Sequence, residues 1–150
     1  MFIAKNGELI IMAKDTKEEL EKALWLMNYT SIEESDVNYI YYNGAYITEE
    51  EFRQQEKEHI AMLSLTRGDV FRALYLAKQI TRDDIRALIK NNELISEAQR
   101  ELALIDFDEA LNFYRGNTLI DTLGLALGIT SEQLDKFFET NDYKFLNTEV

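Results

Sequence analysis

Tyr39-Ile40-Tyr41-Tyr42-Asn43-Gly44-Ala45-Tyr46-Ile47-Thr48-Glu49-Glu50-Glu51 is where the chain changes character. Aromatic and β-branched residues stand on both sides of Asn43-Gly44, a pair that takes positive φ at both centres of a tight turn. That makes it a strong short hairpin signal. Thr48 and Glu51 then form a capping box. The Thr hydroxyl accepts the N–H three residues on, and the Glu carboxylate reaches back to the Thr N–H. Strand patterning stops at this box and helical patterning starts, so the fold class reads as α+β.

Upstream, Phe2-Ile3-Ala4 and Leu9-Ile10-Ile11-Met12 flank Asn6-Gly7, a second hairpin signal. Thr16 with Glu19 opens a helix, and Leu20, Ala23, Leu24 and Met27 fall on one stripe of it. Ser31 to Asp36 reads as a polar loop before Val37–Tyr42. The N-terminal unit is therefore ββαββ over residues 1–48. A two-stranded ribbon is marginal alone, so both hairpins are expected in one sheet with the helix on its face.

Downstream, residues 49–140 read as five or six short helices only. The first runs from about Glu49 to Leu63. Thr66-x-x-Asp69, Thr81-x-x-Asp84, Ser96-x-x-Gln99 and Thr130-x-x-Gln133 start four more. Val70, Ala73, Leu74 and Ala77 point inward from one, and Ile85, Leu88 and Ile89 from the next. The Ser96 helix is expected to reach Tyr114, with Gly116 as its C′ residue. Thr118 to Leu127 closes on Gly128. Asn141 to Val150 reads as a loosely held tail.

The net charge of −12 is the most unusual bulk property. Residues 1–48 hold 4 basic and 8 acidic groups, residues 49–95 hold 8 and 9, and residues 96–150 hold 4 and 11. The C-terminal third is the acidic pole. With 46% apolar residues the chain has ample material for a core. It has no cysteine, which excludes disulfides and thiolate metal sites. Neither a leader pattern nor an apolar run of about 20 residues occurs, so a cytoplasmic protein is expected, with no membrane contact.

Leu123-Gly124 … Leu127-Gly128-Ile129 … Leu134 … Phe137 has helix-turn-helix spacing. Leu76-Ala77-Lys78-Gln79-Ile80-Thr81 echoes Leu125-Ala126-Leu127-Gly128-Ile129-Thr130. The second helix, Ser131 to Glu139, carries three acids and one base. Phosphate contacts need cations. The pattern is therefore read as an efficient helical corner, and no direct DNA or RNA binding is expected.

Catalytic signatures are missing. His59 is the one histidine and lies on a charged helix, where a solvated role is expected. No G-x-S-x-G elbow, Walker A loop, G-x-G-x-x-G or calcium loop occurs. Asp106, Asp108 and Glu109 cluster on one helix. Asp106, spaced with Leu102, Ala103, Ala110 and Phe113, is expected to be partly buried and to serve the fold, paired with Arg115 or Arg100 or capping a neighbouring helix. A carboxylate-metal enzyme around Asp106 and Asp108 is the least favoured reading. Neither cofactor nor metal nor enzyme activity is expected. Tyr39 and Tyr41 share one face of their strand, Ile40 and Tyr42 the other; one face should be core and the other a place for exposed aromatics.

The stretches Leu65-Thr66-Arg67-Gly68-Asp69-Val70-Phe71-Arg72-Ala73-Leu74 and Ala103-Leu104-Ile105-Asp106-Phe107-Asp108-Glu109-Ala110, with Phe113-Tyr114-Arg115-Gly116-Asn117, resemble small bacteriophage and prophage proteins, some encoded near tail-fibre genes. Tyr42 to Glu49 also looks like phage structural proteins. The resemblance covers roughly residues 40–140 and implies origin rather than activity. Such proteins often carry Pro after the Gly-Asn, where this chain has Thr118, which is expected to shift the start of the helix.

The expected function is a phage-encoded, non-catalytic binding protein. In size and charge it is similar to anti-CRISPR inhibitors of host defence nucleases. An acidic surface of Asp106, Asp108, Glu109, Glu132, Asp135 and Glu139 would meet a basic host nucleic-acid enzyme. The alternative is a tail-associated or virion-assembly protein, binding through Tyr41, Tyr46 and helical faces.

Overall fold

The computed structural model describes residues 1–147, so positions 148–150 of the expected tail lie outside the described residues. The chain divides into two compact units, Met1–Lys57 and Glu58–Val150. The sequence reading placed this boundary at 48.

In the first unit, β1 (Phe2–Asn6) and β2 (Leu9–Lys14) pair antiparallel around a Gly7-Glu8 turn. Gly7 has φ +66°, which puts the positive-φ residue at the first turn position, one residue later than an Asn6-Gly7 centre. Helix α1 (Lys17–Ala23) starts where Thr16 Oγ1 accepts the Glu19 N–H at 3.2 Å. Leu20 and Leu24 from its inner stripe bury against Ala4, with Phe2, Ile11, Met12 and Ile32 around them. The helix closes at Leu24, so Met27 falls outside it and is exposed rather than on the buried stripe.

The segment read as a loop contains a strand, β3 (Ser31–Glu34), on the free side of β1. Ile32 turns inward opposite Ala4, and Glu33 joins Lys5 in a 2.6 Å ion pair. An edge strand with one solvated face tolerates this polarity. The sheet order is β2-β1-β3. The second hairpin, β4 (Tyr39–Tyr42) and β5 (Ala45–Thr48), is a separate two-stranded ribbon, so the two hairpins do not share one sheet. Asn43 (φ +50°) and Gly44 (φ +88°) form the expected turn. Neither face of the ribbon is fully buried. Tyr42 packs edge-on against Phe52 at 5.1 Å. Phe52 belongs to α2 (Glu49–Met62), capped as expected by Thr48 and Glu51. The boundary between the units falls inside this helix.

The second unit contains β6 (Ser64–Thr66), α3 (Arg67–Lys78), α4 (Arg82–Lys90), α5 (Glu97–Glu109), β7 (Asn112–Tyr114), α6 (Thr118–Ala126), α7 (Ser131–Thr140) and a 3₁₀ turn at Tyr143–Leu146. It is not purely helical. β6 and β7 pair antiparallel, with Leu65 opposite Phe113. Helix α5 ends at Glu109 because Ala110 is extended (φ −62°, ψ 129°), five residues short of Tyr114. Beyond it the period is two: Phe113 is buried between exposed Asn112 and Tyr114. Gly116 is therefore no C′ residue. It passes so close to Ala61 that an added Cβ would lie 2.9 Å from the Ala61 Cβ, and its N–H donates to the Ala61 carbonyl.

Thr66, Thr81, Ser96 and Thr130 all cap their helices. Thr118 is the first residue of α6, with Asn117 as its cap, a position at which a proline would also start a helix. The core joins Val70, Ala73, Leu74, Ile85 and Ile89 to Phe107, Phe113, Leu123, Phe137 and others. The tail is not loose over its described part. Leu146 is completely buried in that core, against which α3 and α7 also pack.

The helix-turn-helix spacing produces a tight corner. Gly124 is buried, and an added Cβ would lie 2.6 Å from Leu134 Cδ1. Ile129 N–H donates to the Gly124 carbonyl at 2.8 Å. The sequence echo is structural too. Gln79 (φ +57°) and Gly128 (φ +67°) are the left-handed residues of the two corners, each followed by Ile and a capping Thr.

Candidate interaction surfaces

Of the six acids singled out, two are spent inside the fold. Asp135 receives Arg115 Nε at 2.6 Å, and Asp108 receives Arg86 through Nε and Nη2. Arg115 is 6% exposed, and it also binds Asp121 (2.7 Å) and Ser131 Oγ (2.6 Å). One guanidinium thus holds β7 and the turn after it to the first turns of α6 and α7, using most of its five donors. Asp108 is shared further, because Arg67 lies 3.9 Å from its carboxylate and donates to its carbonyl. Arg67 also stacks over Phe71 and Phe107.

Asp106 is exposed, not partly buried. The two arginines expected to pair with it are engaged elsewhere: Arg115 as above, and Arg100 with the Asn92 and Ile95 carbonyls. The reason is register. Asp106 follows Leu102 and precedes Glu109 on the outer face of α5, whereas Phe107 one residue on is in the core. Glu109 and Glu132 are exposed. Glu139 pairs with Lys136 at 2.8 Å on the surface, worth little to stability. Tyr41 is exposed and stands opposite the half-buried Tyr46, rings 5.1 Å apart. His59 is exposed on α2.

The displaced pKa values belong to structural groups. The Thr48 N–H, then its hydroxyl, hold the Glu51 carboxyl below the usual range. The Thr81 hydroxyl and N–H do the same for Asp84. Lys5, and then Ser31, lower Glu33. Among the described residues no three His, Cys, Asp or Glu side chains come together as a metal-holding group.

Sequence reasoning missed the exposed apolar surface. In the first unit Trp25 is 78% exposed, with Leu26, Met27 and Tyr29 beside it in the chain. In the second, Leu102 and Ile105 lie outward on α5 beside Asp106 and Glu109. A groove of about 760 Å³ runs between α4, the loop after it, and α6. Leu94 (84% exposed) and Leu125 (74%) are on its walls. One signal was available: Leu102-Ala103-Leu104-Ile105 is a run of four apolar residues on α5, and four consecutive helical positions point to all sides, so they cannot all face one core.

No helix among the described residues is long and apolar enough to cross a membrane. No family model, curated protein or solved structure matches the chain.

Proposed function

We propose that this chain acts by binding another protein, and that the partner is basic. The reading favoured first is a phage product that occupies the nucleic-acid channel of a host defence nuclease of the CRISPR type, in the host cytoplasm and without chemistry of its own. The observation that supports it is the outer face of α5. Leu102, Ile105, Asp106 and Glu109 recur there at i, i+3, i+4 and i+7, all exposed. Apolar area supplies affinity, and the acidic field, from a chain of net charge −12, steers a cationic partner and rejects an anionic one. The contact acids are Asp106, Glu109, Glu132 and Glu139; Asp108 and Asp135 serve the fold.

Assembly into a virion or its tail is the second reading. Exposed Trp25 and Tyr41 favour it, since rigid aromatics anchor protein interfaces. Affinity capture from a host lysate, at low and high salt, separates the two. For the inhibitor, a basic nucleic-acid enzyme is captured, elutes with salt, and is lost when Asp106→Lys and Glu109→Lys are combined. Capture of phage structural proteins alone, kept at high salt and lost with Trp25→Ala, sinks the inhibitor and makes this an assembly factor.

A further inference from the structure

The groove of the second unit is built, not merely left over. Helix α4 turns Asp84, Ala87 and Leu88 toward it, one face at i, i+3 and i+4, and its C-cap Asn91 continues that wall. The loop after α4 forms the next wall and is stapled in place. Arg100 donates to the Asn92 carbonyl at 2.9 Å and to that of Ile95 at 3.1 Å, and Leu94 N–H donates to Asn92 Oδ1 at 2.9 Å. The far wall is the end of α6, with Leu125 and Leu127. A stapled wall loses little conformational entropy when something docks on it.

The lining says what that is. It is mainly apolar, and its charged members are Asp84 and Glu93. Among the described residues that line it, none is Lys or Arg. Asp84 is bonded to Thr81, which leaves Glu93 as the acid with reach at the rim. The walls are helices and a loop and present no strand edge, so an extended peptide has no backbone ladder to join. A second copy would bring one acidic rim against another on a chain of charge −12.

We propose that this groove takes an amphipathic helix of a partner protein, its apolar side chains seated among Leu88, Leu94, Ile95, Leu125 and Leu127 and its Lys or Arg flank set against Glu93. The proposal rests on the reading of the second unit as a protein-binding surface and names the chemistry of what is bound. It adds a second seat for apolar side chains to the contact face of α5, where Asp106 and Glu109 also attract a cationic partner at long range.

The test is a titration of the isotopically labelled full chain with a short amphipathic helical peptide of leucine and lysine, followed by amide NMR. Two control peptides replace every leucine by serine or every lysine by glutamate. The leucine–lysine peptide should shift the amides of Leu88, Leu94, Ile95 and Leu125, and both controls should bind at least about tenfold more weakly. Leu94→Ser and Leu125→Ser, at positions so exposed that folding is spared, should each weaken binding about tenfold. Glu93→Gln should flatten its dependence on salt. Equal binding by the serine–lysine peptide, shifts confined to other surfaces, or indifference to both Ser variants would overturn the proposal. So would self-association of the free chain that Leu125→Ser abolishes, which would give the groove to a second copy. If a captured basic partner survives both Ser variants yet is lost with the α5 charge reversals, the groove assignment falls and the broader reading stands.

Discussion

Arg115 ties its part of the second unit together more than any acid near it does. Its burial is tolerable because Asp121, Asp135 and Ser131 surround it. Arg115→Met removes the cation and leaves two carboxylates without it. Both keep contact with water, Asp121 at 56% and Asp135 at 29% side-chain exposure. The expected loss is therefore at the low end for a broken buried pair, about 3 kcal/mol, read from urea unfolding. Asp106→Asn should leave stability within about 0.5 kcal/mol by the same measurement, as an exposed site does. The caps carry a pH signature. Glu51 and Asp84 are held below the usual carboxyl range, so their contribution is present at neutral pH and is lost as pH falls through their folded-state values. The stability gap between the natural chain and Thr81→Ala should therefore narrow as pH falls below about 4, measured by unfolding at each pH. A constant gap would remove Asp84 from the account.

At the scale of elements, the two corners offer a matched experiment. Gly128 and Gln79 hold the same left-handed backbone, one at no steric cost and one at some. Gly128→Gln should destabilise by about 1 kcal/mol, whereas Gln79→Gly should be neutral or stabilising in thermal unfolding. Gly124→Leu would drive side-chain atoms into Leu134 and the Ile129 carbonyl and should cost at least about 2 kcal/mol. The helix caps and the Asn43-Gly44 turn were legible in the sequence, and the first hairpin turn to within one residue, because each rests on residues three or four apart. β3 and β7 were not. Ser31-Ile32-Glu33-Glu34 is polar enough for a loop and becomes a strand because β1 has an open side. Phe113 sits at a spacing compatible with the α5 stripe and leaves it because Leu65 pairs opposite.

Over the whole molecule the charge decides behaviour. A chain at −12 repels itself, so the melting temperature should rise when salt goes from about 10 mM to about 0.15 M, where the Debye length is near 8 Å. No rise would mean that the arginine pairs already balance the field locally. The candidate site was half legible. Acid content is countable, but which acids remain for a partner depends on where arginines from distant segments arrive. Arg86 reaches Asp108, and Arg115 reaches Asp135.

The sequence by itself determined the class of fold, the positions of the helix starts and the Asn43-Gly44 turn, since these rest on contacts within one turn of the backbone. It also determined the sign of the field. Tertiary structure alone decided which strands share a sheet, that Leu146 belongs to the core, that Asp106 faces water while Asp108 is bound, and that Leu94 and Leu125 flank an open groove. Those outcomes depend on segments far apart in the chain competing for the same edge, cavity or counter-charge, and no local pattern records who wins.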